Sequence, residues 1–350
     1  MKAYVLQNAE EFYLKNVPDP KPDENEVLIA VRAAGICGSD IPRIFKGGAH
    51  TYPLIPGHEF SGVVTDIGRN ADRVWLGKRV GIFPLIPCRT CEPCRKRQYE
   101  MCRNYDYLGS RRDGGFAEYT AVPADNLIAL PDEVSFEEAA MLEPMAVAVH
   151  AMRRIQPGQQ DIIAICGLGT IGLLLLMFLQ EAGIEHILVI GNKDSQKQLV
   201  RSMGIGEEEY CDYRNQNVQE WIMERTGGRG TDVFFECVGR NETVRLAVNN
   251  AAICGRIMLV GNPYTDMQLE QSVYWKILRN QLIVTGTWNS SFTHETKDDW
   301  HYAMKRLEQK KISPQGLISH RLSFEELGKG FSIMRDKSED YMKVMGVMEE

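Results

Sequence analysis

The sequence predicts an α/β protein in which a domain built on a parallel sheet is inserted into a domain built on an antiparallel sheet. From about Asp161, short apolar runs alternate with helical segments, as in a parallel sheet covered on both faces. In the first 150 residues the runs alternate in polarity and are interrupted by glycines, which is typical of a twisted antiparallel sheet. The last segment is short for a domain, so we expect it to rejoin the first. The expected parts are residues 1–150, 151–289 and 290–350.

Each expected element follows from its own pattern. Short apolar or alternating runs that glycines bound indicate strands, and longer stretches of helical period indicate helices. The strands of the first part are "EVLIAVRAAGIC", "FSGVVTDIG", "KRVGIF" and "GGFAEYTAVP". Those of the parallel unit are "DIIAIC", "HILVIG", "DVFFECVG", "GRIMLVG" and "LIVTGTW". Its helices are "LLLLMFLQEAG", "DSQKQLVRSMG" and segments near 216–226, 242–252 and 269–278, and the tail ends in the strand "KVMGVM".

Composition narrows the class of protein. The formal net charge of −7, with no strong basic stripe, argues against general nucleic-acid binding. No apolar run is long enough for a signal peptide or a membrane span, and the longest, "IGLLLLMFL", reads as a buried helix. We therefore expect a cytoplasmic protein without membrane contact, whose thiols stay reduced.

Four of the nine cysteines stand close together, at Cys88, Cys91, Cys94 and Cys102. A reducing compartment argues against disulfides. An iron–sulfur cluster is the second alternative, but a ferredoxin motif has proline after its fourth cysteine, and here Arg103 follows. Four thiolates on a short lobe suit tetrahedral zinc, which closes a loop too small for a core. We expect a structural zinc site in a lobe of about residues 87–103.

A glycine-rich turn, "GLGTIG", lies between an expected strand and an expected helix. Its glycines, Gly167, Gly169 and Gly172, permit a tight turn and the close approach of a pyrophosphate to the N-terminus of the helix. The alternative is a turn that only packs helix against strand. We expect a dinucleotide there, in contact with the three glycines, Thr170, Ile171 and, after a later strand, Val260 and Gly261.

The acid that commonly holds the adenosine ribose at the end of the next strand is missing, because Gly191 stands there. Without that carboxylate a 2′-phosphate would not be repelled, and Lys193 could pair with it. Alternatively, Asn192 bonds the ribose, or Asp194 turns back to it. The sequence favours acceptance of NADP and leaves the choice between NAD and NADP open.

Three further residues have side chains that zinc binds. They are Cys37 in "GICGSD", His58 in "GHEF" and Glu143 in "LEP". Three protein ligands leave a position for water or substrate, which distinguishes a catalytic zinc from a closed one. Spacing alone does not bring them together, and a core cysteine and a surface acid are the ordinary alternatives.

The motifs above, taken together, resemble the zinc-dependent medium-chain dehydrogenases along essentially the full chain. The resemblance implies a Rossmann-type domain inserted in a GroES-like catalytic domain, a homodimer or homotetramer, and two zinc ions per chain. It implies that Cys37, His58 and Glu143 hold the catalytic zinc, with Glu59 as an adjacent or transient ligand. Such a zinc lowers the pKa of a substrate hydroxyl, and a hydride passes to NAD or NADP. Ser39 would take the hydroxyl proton, although Pro42 replaces the histidine that continues this relay in many relatives.

Two long stretches, Cys37–His50 and Tyr107–Tyr119, resemble family members that oxidise a sugar-alcohol phosphate. A phosphate needs cations, and guanidinium groups match its geometry. Arg43, Lys46, Arg111 and Arg112 are the candidates, with surface ion pairs such as Arg112 with Asp113 as the alternative. Trp288 is expected to line the pocket, or else to belong to the core. The rival functions are a dehydrogenase for an unphosphorylated polyol or other secondary alcohol (sorbitol-, threonine- or butanediol-type) and a zinc-stabilised protein that only senses NAD(P)H.

Overall fold

The computed structural model describes residues 1–348 and divides into two compact units. The first unit contains Met1–Ala146 and the chain from Ser290 onward, and the second contains Val147–Asn289. The architecture is the α/β class predicted from the sequence. The sheet of the first unit is mainly antiparallel, and the sheet of the second unit is wholly parallel.

The first unit is built around a seven-stranded sheet. Its strands before the second unit are β1 (Lys2–Asn8), β2 (Glu11–Asn16), β3 (Glu26–Ile36), β4 (Glu59–Ile67), β5 (Arg79–Ile82), β6 (Leu85–Ile86), β7 (Asp106–Tyr107), β8 (Tyr119–Pro123) and β9 (Leu127–Ala129), and the tail of the chain adds two more. Its helices before the second unit are α1 (Asp40–Phe45), α2 (Glu92–Arg95), α3 (Phe136–Ala140) and the start of α4 (Leu142–Ile155). The long strand β3 pairs with both β4 and β8, and its apolar side chains lie in the core.

The second unit is a six-stranded parallel sheet with helices between its strands. The strands are β10 (Ile162–Cys166), β11 (His186–Gly191), β12 (Tyr210–Asp212), β13 (Thr231–Glu236), β14 (Ala251–Leu259) and β15 (Ile283–Gly286). The helices are α5 (Thr170–Glu181), α6 (Asp194–Ser202), α7 (Val218–Arg225), α8 (Asn241–Asn250) and α9 (Gln271–Arg279). The strand order is β12-β11-β10-β13-β14-β15, so the chain builds the sheet outward from β10 first on one side and then on the other. In sheets of this kind, ligands bind beyond the carboxyl ends of the strands at the point where the chain changes sides.

The apolar stretch "IGLLLLMFL" forms part of α5, where Leu173–Leu176 and Phe178 are fully buried. Their burial accounts for a helix that is apolar on several faces. Among the described residues, no helix is both long and apolar enough to cross a membrane.

The tail of the chain returns to the first unit. Its elements are α10 (Asp299–Glu308), β16 (Ile318–Ser323), α11 (Leu327–Asp336) and β17 (Lys343–Val347). Strand β17 pairs antiparallel with β3, with Val344 opposite Ile36 and Gly346 opposite Ala34. The last strand thus lies beside the residues that precede Cys37.

One expected strand is shorter than its pattern indicates. In "GGFAEYTAVP" only Tyr119–Pro123 forms a strand, because Gly114 and Gly115 instead donate backbone hydrogen bonds to Ile55 and Gly57. A side chain at Gly114 would place its Cβ 2.0 Å from the Gly57 carbonyl oxygen. These glycines let the loop pack directly on the segment that precedes His58.

Candidate functional site

The four-cysteine lobe brings all its sulfur atoms together. Cys94 lies on the one-turn helix α2, which Pro93 helps to start, and the four sulfurs lie within 4.8 Å of one another. The Sγ atom of Cys91 is 3.4 Å from that of Cys94 and 3.9 Å from that of Cys102. All four cysteines are free thiols rather than disulfides. Four converging thiols fit a closed, tetrahedral zinc site, as the spacing predicts.

A second group of metal-binding side chains lies where β3 ends and β4 begins. Cys37 follows β3, His58 directly precedes β4, and Glu59 begins β4, opposite Gly35 in the sheet. One ligand atom from each of Cys37, His58 and Glu59 lies within 4.8 Å of the others. Antiparallel pairing of the two strands therefore brings the Cys37 thiol to the imidazole and the carboxylate of the consecutive residues His58 and Glu59, which are distant from it in sequence.

The turn before His58 depends on a glycine. Gly57 has φ +99°, and a Cβ there would lie 2.8 Å from the backbone nitrogen of Phe116. Only glycine combines this left-handed conformation with so close a backbone contact. The "GHEF" sequence thus fixes the direction in which the His58 and Glu59 side chains leave the backbone.

Glu59 forms a buried ion pair with Lys343, the first residue of β17. The Lys343 Nζ atom lies 2.5 Å from Glu59 Oε2 and donates a second hydrogen bond, 3.2 Å long, to the Ile36 carbonyl. Burial lowers the pKa of Lys343, but the charges of Glu59 and Cys37 outweigh this and raise it. Gly35 provides the space, because a Cβ there would lie 2.5 Å from Glu59 Oε2.

Asp40 lies next to both Cys37 and His58 in the same site. It is fully buried, and its Oδ2 atom accepts the Cys37 backbone N–H at 3.0 Å. Its Oδ1 atom pairs with Arg43 and lies 3.5 Å from His58 Nδ1, an atom that has no hydrogen-bond partner within residues 1–348. Burial lowers the pKa of His58, but the charges of Asp40 and Cys37 raise it well above its ordinary value. An imidazole next to a thiol and two carboxylates suits a divalent cation, which would relieve this concentration of negative charge.

Glu143 lies close by but outside the group formed by Cys37, His58 and Glu59. It is the second residue of α4, is 8% exposed, and accepts a 3.3 Å hydrogen bond from the Tyr107 hydroxyl. Burial raises the pKa of Glu143 to about 7, and the nearby Glu59 charge acts in the same direction. A bound cation would reverse that shift. Two carboxylates, those of Glu59 and Glu143, are therefore candidates for the third zinc ligand. That Glu143 is this ligand stays a prediction.

Ser39 stands at the start of α1, with its Oγ atom 3.3 Å from Cys37 Sγ. Pro42 lies inside the same six-residue helix, at the position where we noted the missing histidine. The hydroxyl is thus adjacent to the metal-binding thiol, and its part in proton transfer stays a prediction.

The glycine-rich turn in the second unit has the geometry of an anion site. Gly167 has φ +100°, and a Cβ at Gly172 would lie 2.0 Å from the Gly167 carbonyl oxygen. By contrast, a Cβ at Gly169 would meet no atom within 4 Å. The space beside Gly169 is therefore open at the N-terminus of α5, where Thr170 and Ile171 begin the helix. A dinucleotide pyrophosphate fits such an end of a helix.

The neighbouring turns are held by Glu236, at the end of β13. Its Oε1 atom accepts hydrogen bonds of 2.8 and 2.9 Å from the Val238 and Gly239 N–H groups, and its backbone carbonyl accepts from Val260 and Gly261. The two predicted cofactor residues, Val260 and Gly261, are thus fixed at the carboxyl end of the sheet.

Gly191 ends β11, as predicted, and packing explains its identity. A Cβ there would lie 2.9 Å from Leu168 Cδ1 and 3.0 Å from the Gln196 side-chain oxygen. Gln196 accepts the Asn192 N–H at 3.0 Å and donates to the Leu168 carbonyl at 3.0 Å. Gln196 therefore ties the glycine-rich turn to the end of β11, a role that no sequence pattern indicates. Lys193 directly precedes α6.

The four cations proposed for a phosphate differ in how they are paired. Arg112 pairs with Glu26 at 2.6 Å rather than with Asp113, whose carboxylate accepts the Ile55 N–H at 2.8 Å. Arg43 is paired with the buried Asp40. Arg111 lies 4.6 Å over the Tyr105 ring, and among the described residues neither Arg111 nor Lys46 has a carboxylate partner. Trp288 lies in the second unit and is 54% exposed, so its pocket role stays a prediction.

Sequence reasoning missed three residues at this site: Asp40, Tyr107 and Lys343. A lysine that opens a buried apolar strand was a detectable signal for Lys343, since buried lysines are almost always paired. Asp40 lies three residues after Cys37, within reach of its backbone, but nothing local points to its contact with His58. Tyr107 carries no signal in the sequence.

Two family models match the chain. The alcohol dehydrogenase GroES-like domain matches residues 23–132, and the zinc-binding dehydrogenase model matches residues 170–309. Together they confirm the predicted resemblance and the predicted fold class.

Individual relatives agree with the family models. Galactitol 1-phosphate 5-dehydrogenase of Escherichia coli K12 is 36% identical over 313 residues, covering 89% of this chain and 90% of the relative. The crystal structure of galactitol-1-phosphate dehydrogenase from Escherichia coli matches 99% of this chain and 100% of its own with a TM-score of 0.92 and 34% identity. Sorbitol dehydrogenase of Bacillus subtilis is 33% identical over 75% of each chain.

A second solved structure that matches this chain contains a bound dinucleotide. It is a zinc-binding dehydrogenase of Sinorhizobium meliloti bound to NADP, with a TM-score of 0.90 and 27% identity over 99% of this chain and 98% of its own. With the zinc-binding family and the cysteine cluster, this neighbour confirms the prediction of zinc and NAD or NADP as cofactors. The chain belongs to the zinc-binding medium-chain alcohol dehydrogenases and is an oxidoreductase that acts on alcohols.

Proposed function

We propose that this enzyme oxidises a polyol phosphate, galactitol 1-phosphate, to tagatose 6-phosphate with NAD or NADP. The relative at 36% identity bears the name of that activity. The observation that carries the proposal is the guanidinium of Arg111, which has no carboxylate partner in the described part of the chain and stacks on Tyr105. The Tyr105 and Tyr107 rings lie 6.2 Å apart. Tyr107 in turn contacts His58 and Glu143. A row of aromatic rings thus connects the metal-binding residues to a cation free to bind phosphate.

The metal-binding residues prepare the alcohol for oxidation. Cys37, His58 and either Glu59 or Glu143 would hold the zinc, which when bound acts as a Lewis acid toward the substrate hydroxyl. The ion pair with Lys343 keeps Glu59 in position, and Tyr107 does the same for Glu143. Ser39 would accept the hydroxyl proton, and its Oγ position 3.3 Å from the Cys37 sulfur supports this role. The dinucleotide, when bound, would supply the nicotinamide that accepts a hydride from the carbinol carbon.

The cofactor lies, on this proposal, along the carboxyl end of the parallel sheet. Gly167, Gly169 and Gly172 with Thr170 and Ile171 would face the pyrophosphate, because the dipole at the N-terminus of α5 favours an anion. Gly191, Asn192 and Lys193 would lie at the adenosine ribose, and Val260 and Gly261 along the nicotinamide half.

A spectrophotometric assay tests the substrate. Reduction of NAD and NADP is followed with galactitol 1-phosphate, galactitol, sorbitol and threonine. We expect kcat/KM to be highest with the phosphate ester. In Arg111→Met a lost charge-assisted contact should lower kcat/KM for galactitol 1-phosphate by about 10- to 150-fold and leave galactitol unchanged. Arg103→Met, on the exposed face of the zinc lobe, is the matched control.

A dehydrogenase for an unphosphorylated polyol is the second candidate, because sorbitol dehydrogenase is also a relative. It predicts equal or higher kcat/KM for sorbitol or galactitol and no selective effect of Arg111→Met. If Arg111→Met turns over the phosphate like the parent, Lys46 and Arg43 are the next residues to replace.

The second unit has an exposed apolar edge, from which we infer that the chain forms a homodimer, the smaller of the two assemblies predicted from the sequence. Strand β15 ends the sheet, with Ile283 57% and Val284 38% exposed, and Trp275 on α9 is 44% exposed. Proteins normally cover or charge such an edge, and a second copy would pair β15 with itself. Ile283→Lys should therefore yield monomers in sedimentation velocity, and an unchanged mass would exclude this surface.

We also propose that the enzyme works in the cytoplasm, where its substrate and dinucleotide would be found. All nine cysteines are free, which suits a reducing compartment. Fractionation of cells with an antibody against the protein tests this location.

A further inference from the structure

An acidic residue, Asp212, lies beside Gly191 on the neighbouring strand of the parallel sheet. We call this end of β11 and β12 the corner of the sheet. Strands β11 and β12 pair in parallel with Gly191 beside Asp212, and the Tyr213 N–H donates to the Gly191 carbonyl at 2.9 Å. Asp212 therefore stands one strand away from the position where the ribose-binding acid is expected in this type of fold. Its carboxylate is 15% exposed and already has a partner, Arg214.

Arg214 is held between two carboxylates. Its Nε atom lies 3.0 Å from Asp212 Oδ1, and its Nη2 atom lies 2.6 Å from Asp212 Oδ2 and 2.5 Å from Asp194 Oδ1. Asp212 thus contacts the guanidinium at both Nε and Nη2, while Asp194, the first residue of α6, contacts Nη2 alone. Among the described residues, nothing accepts a hydrogen bond from Nη1, so two N–H donors remain available.

The two aspartates differ in how firmly they are placed. Asp212 is mostly buried, makes a two-point contact with Arg214 and belongs to a strand, whereas the Asp194 side chain is 80% exposed and makes a single contact. An exposed single contact contributes little to stability. Asp194 can therefore leave Arg214 at small cost, and Asp212 keeps the guanidinium in place when it does.

We propose that Arg214 is the ligand for the 2′-phosphate of NADP and that Asp194 competes with that phosphate for it. With Asp194 paired to Arg214, the corner accepts the uncharged 2′-hydroxyl of NAD. With Asp194 displaced, the guanidinium offers paired donors to a phosphate monoester. Lys193, directly before Asp194, adds a second positive charge to the same corner. The chain would thus bind both dinucleotides, with Arg214 responsible for the difference.

This inference rests on dinucleotide binding and is independent of the substrate proposal. A substitution of Gly191 would be a poorer test, because a side chain at that position would collide with Leu168 and Gln196 whatever the cofactor. Arg214 and Asp194 are both exposed, so their replacement should not disturb folding.

Calorimetric titration of the zinc-loaded enzyme with NADP, NAD and 2′-AMP, without substrate, tests the proposal. Arg214→Gln should weaken NADP and 2′-AMP binding by about tenfold, and Asp194→Asn should strengthen both by a few-fold, with NAD changed by less than twofold. Arg229→Gln, which removes an exposed arginine paired with Asp232 in the same unit, is the control and should change none of them.

Two results would overturn the proposal. If Arg214→Gln binds NADP and 2′-AMP as tightly as the parent, Arg214 does not contact the phosphate. If Asp194→Asn weakens NAD and leaves NADP unchanged, Asp194 is itself the ligand of the ribose 2′-hydroxyl, and Arg214 only orients it. Substrate turnover enters neither measurement, so failure of the polyol-phosphate proposal would leave this result intact.

Discussion

Lys343→Met should be among the most destabilising single substitutions in the first unit. The Lys343 and Glu59 side chains are 3% and 2% exposed, and their charged atoms lie 2.5 Å apart. Methionine keeps most of the volume but leaves the Glu59 carboxylate buried without its cation. Breaking such a pair from one side costs about 3–5 kcal/mol in the free energy of unfolding. For a unit of about 200 residues, 3 kcal/mol corresponds to a fall in Tm of roughly 6–12 °C.

A double-mutant cycle isolates the pair. Urea unfolding and hydrogen exchange in β17 and β3 are measured for the parent, Lys343→Met, Glu59→Gln and the double variant. Each single variant should lose stability, and the double variant should recover at least half of the summed loss, because neither charge is then left alone. Exchange should accelerate in β17 first, since the Lys343 backbone begins that strand.

Two results would contradict a strong buried ion pair. One is that the losses in the free energy of unfolding of the two single variants simply add in the double variant. The other is a loss below about 1 kcal/mol in Lys343→Met, which is the range of an exposed ion pair. Gly35→Ala provides an independent check. Its Cβ would displace Glu59 Oε2 without removing any charge, so it should weaken zinc retention at this site while sparing the four-cysteine lobe.

Three other expectations concern the metal sites. Cys91→Ser should lose one of two zincs per chain, by elemental analysis, and should melt at a lower temperature, since closed zinc sites contribute folding energy; iron in that lobe would contradict the assignment. Cys37→Ala should abolish turnover while the Kd for the dinucleotide changes little, because the glycine-rich turn belongs to the other unit; an active variant that keeps its metal would contradict the zinc mechanism. In enzyme stripped of the metal at Cys37, the raised pKa of Glu143 should give a stability contribution that is complete below pH 4.5 and lost as the pH rises through about 7. Its Tm should therefore fall more steeply over this range than that of Glu143→Gln, and parallel profiles would show that Glu143 is not the titrating group.

The sequence was sufficient to predict those features that depend only on residues close together in the chain. The four cysteines lie within fifteen residues, and their spacing alone indicated a shared site. The "GLGTIG" turn between an apolar run and a helical segment indicated the anion site, because the turn, the strand and the helix are consecutive. The strand "HILVIG" matches the observed β11 from end to end. In these cases the chain's own geometry over a few residues determines the contact.

Tertiary structure alone decided the contacts between distant segments. Lys343 meets Glu59 across 284 residues, and Arg112 meets Glu26 across 86. Neither pairing leaves a periodic pattern, because each depends on the register between strands or on how a loop packs. Family resemblance placed Glu59 near the zinc, but only the pairing of β3 with β4 and β17 shows which side chains surround it.

The end of β11 at Gly191 likewise has features that the sequence shows and features that only the fold shows. The sequence by itself determined that the acid after β11 is missing and that a glycine replaces it. Only the fold showed that Gln196 fills the space beside that glycine and that the parallel register of β11 and β12 brings Asp212 and Arg214 to it. A residue type can be read at its own position, but its neighbours depend on long-range packing, in which side chains separated along the chain compete for the same volume and charge.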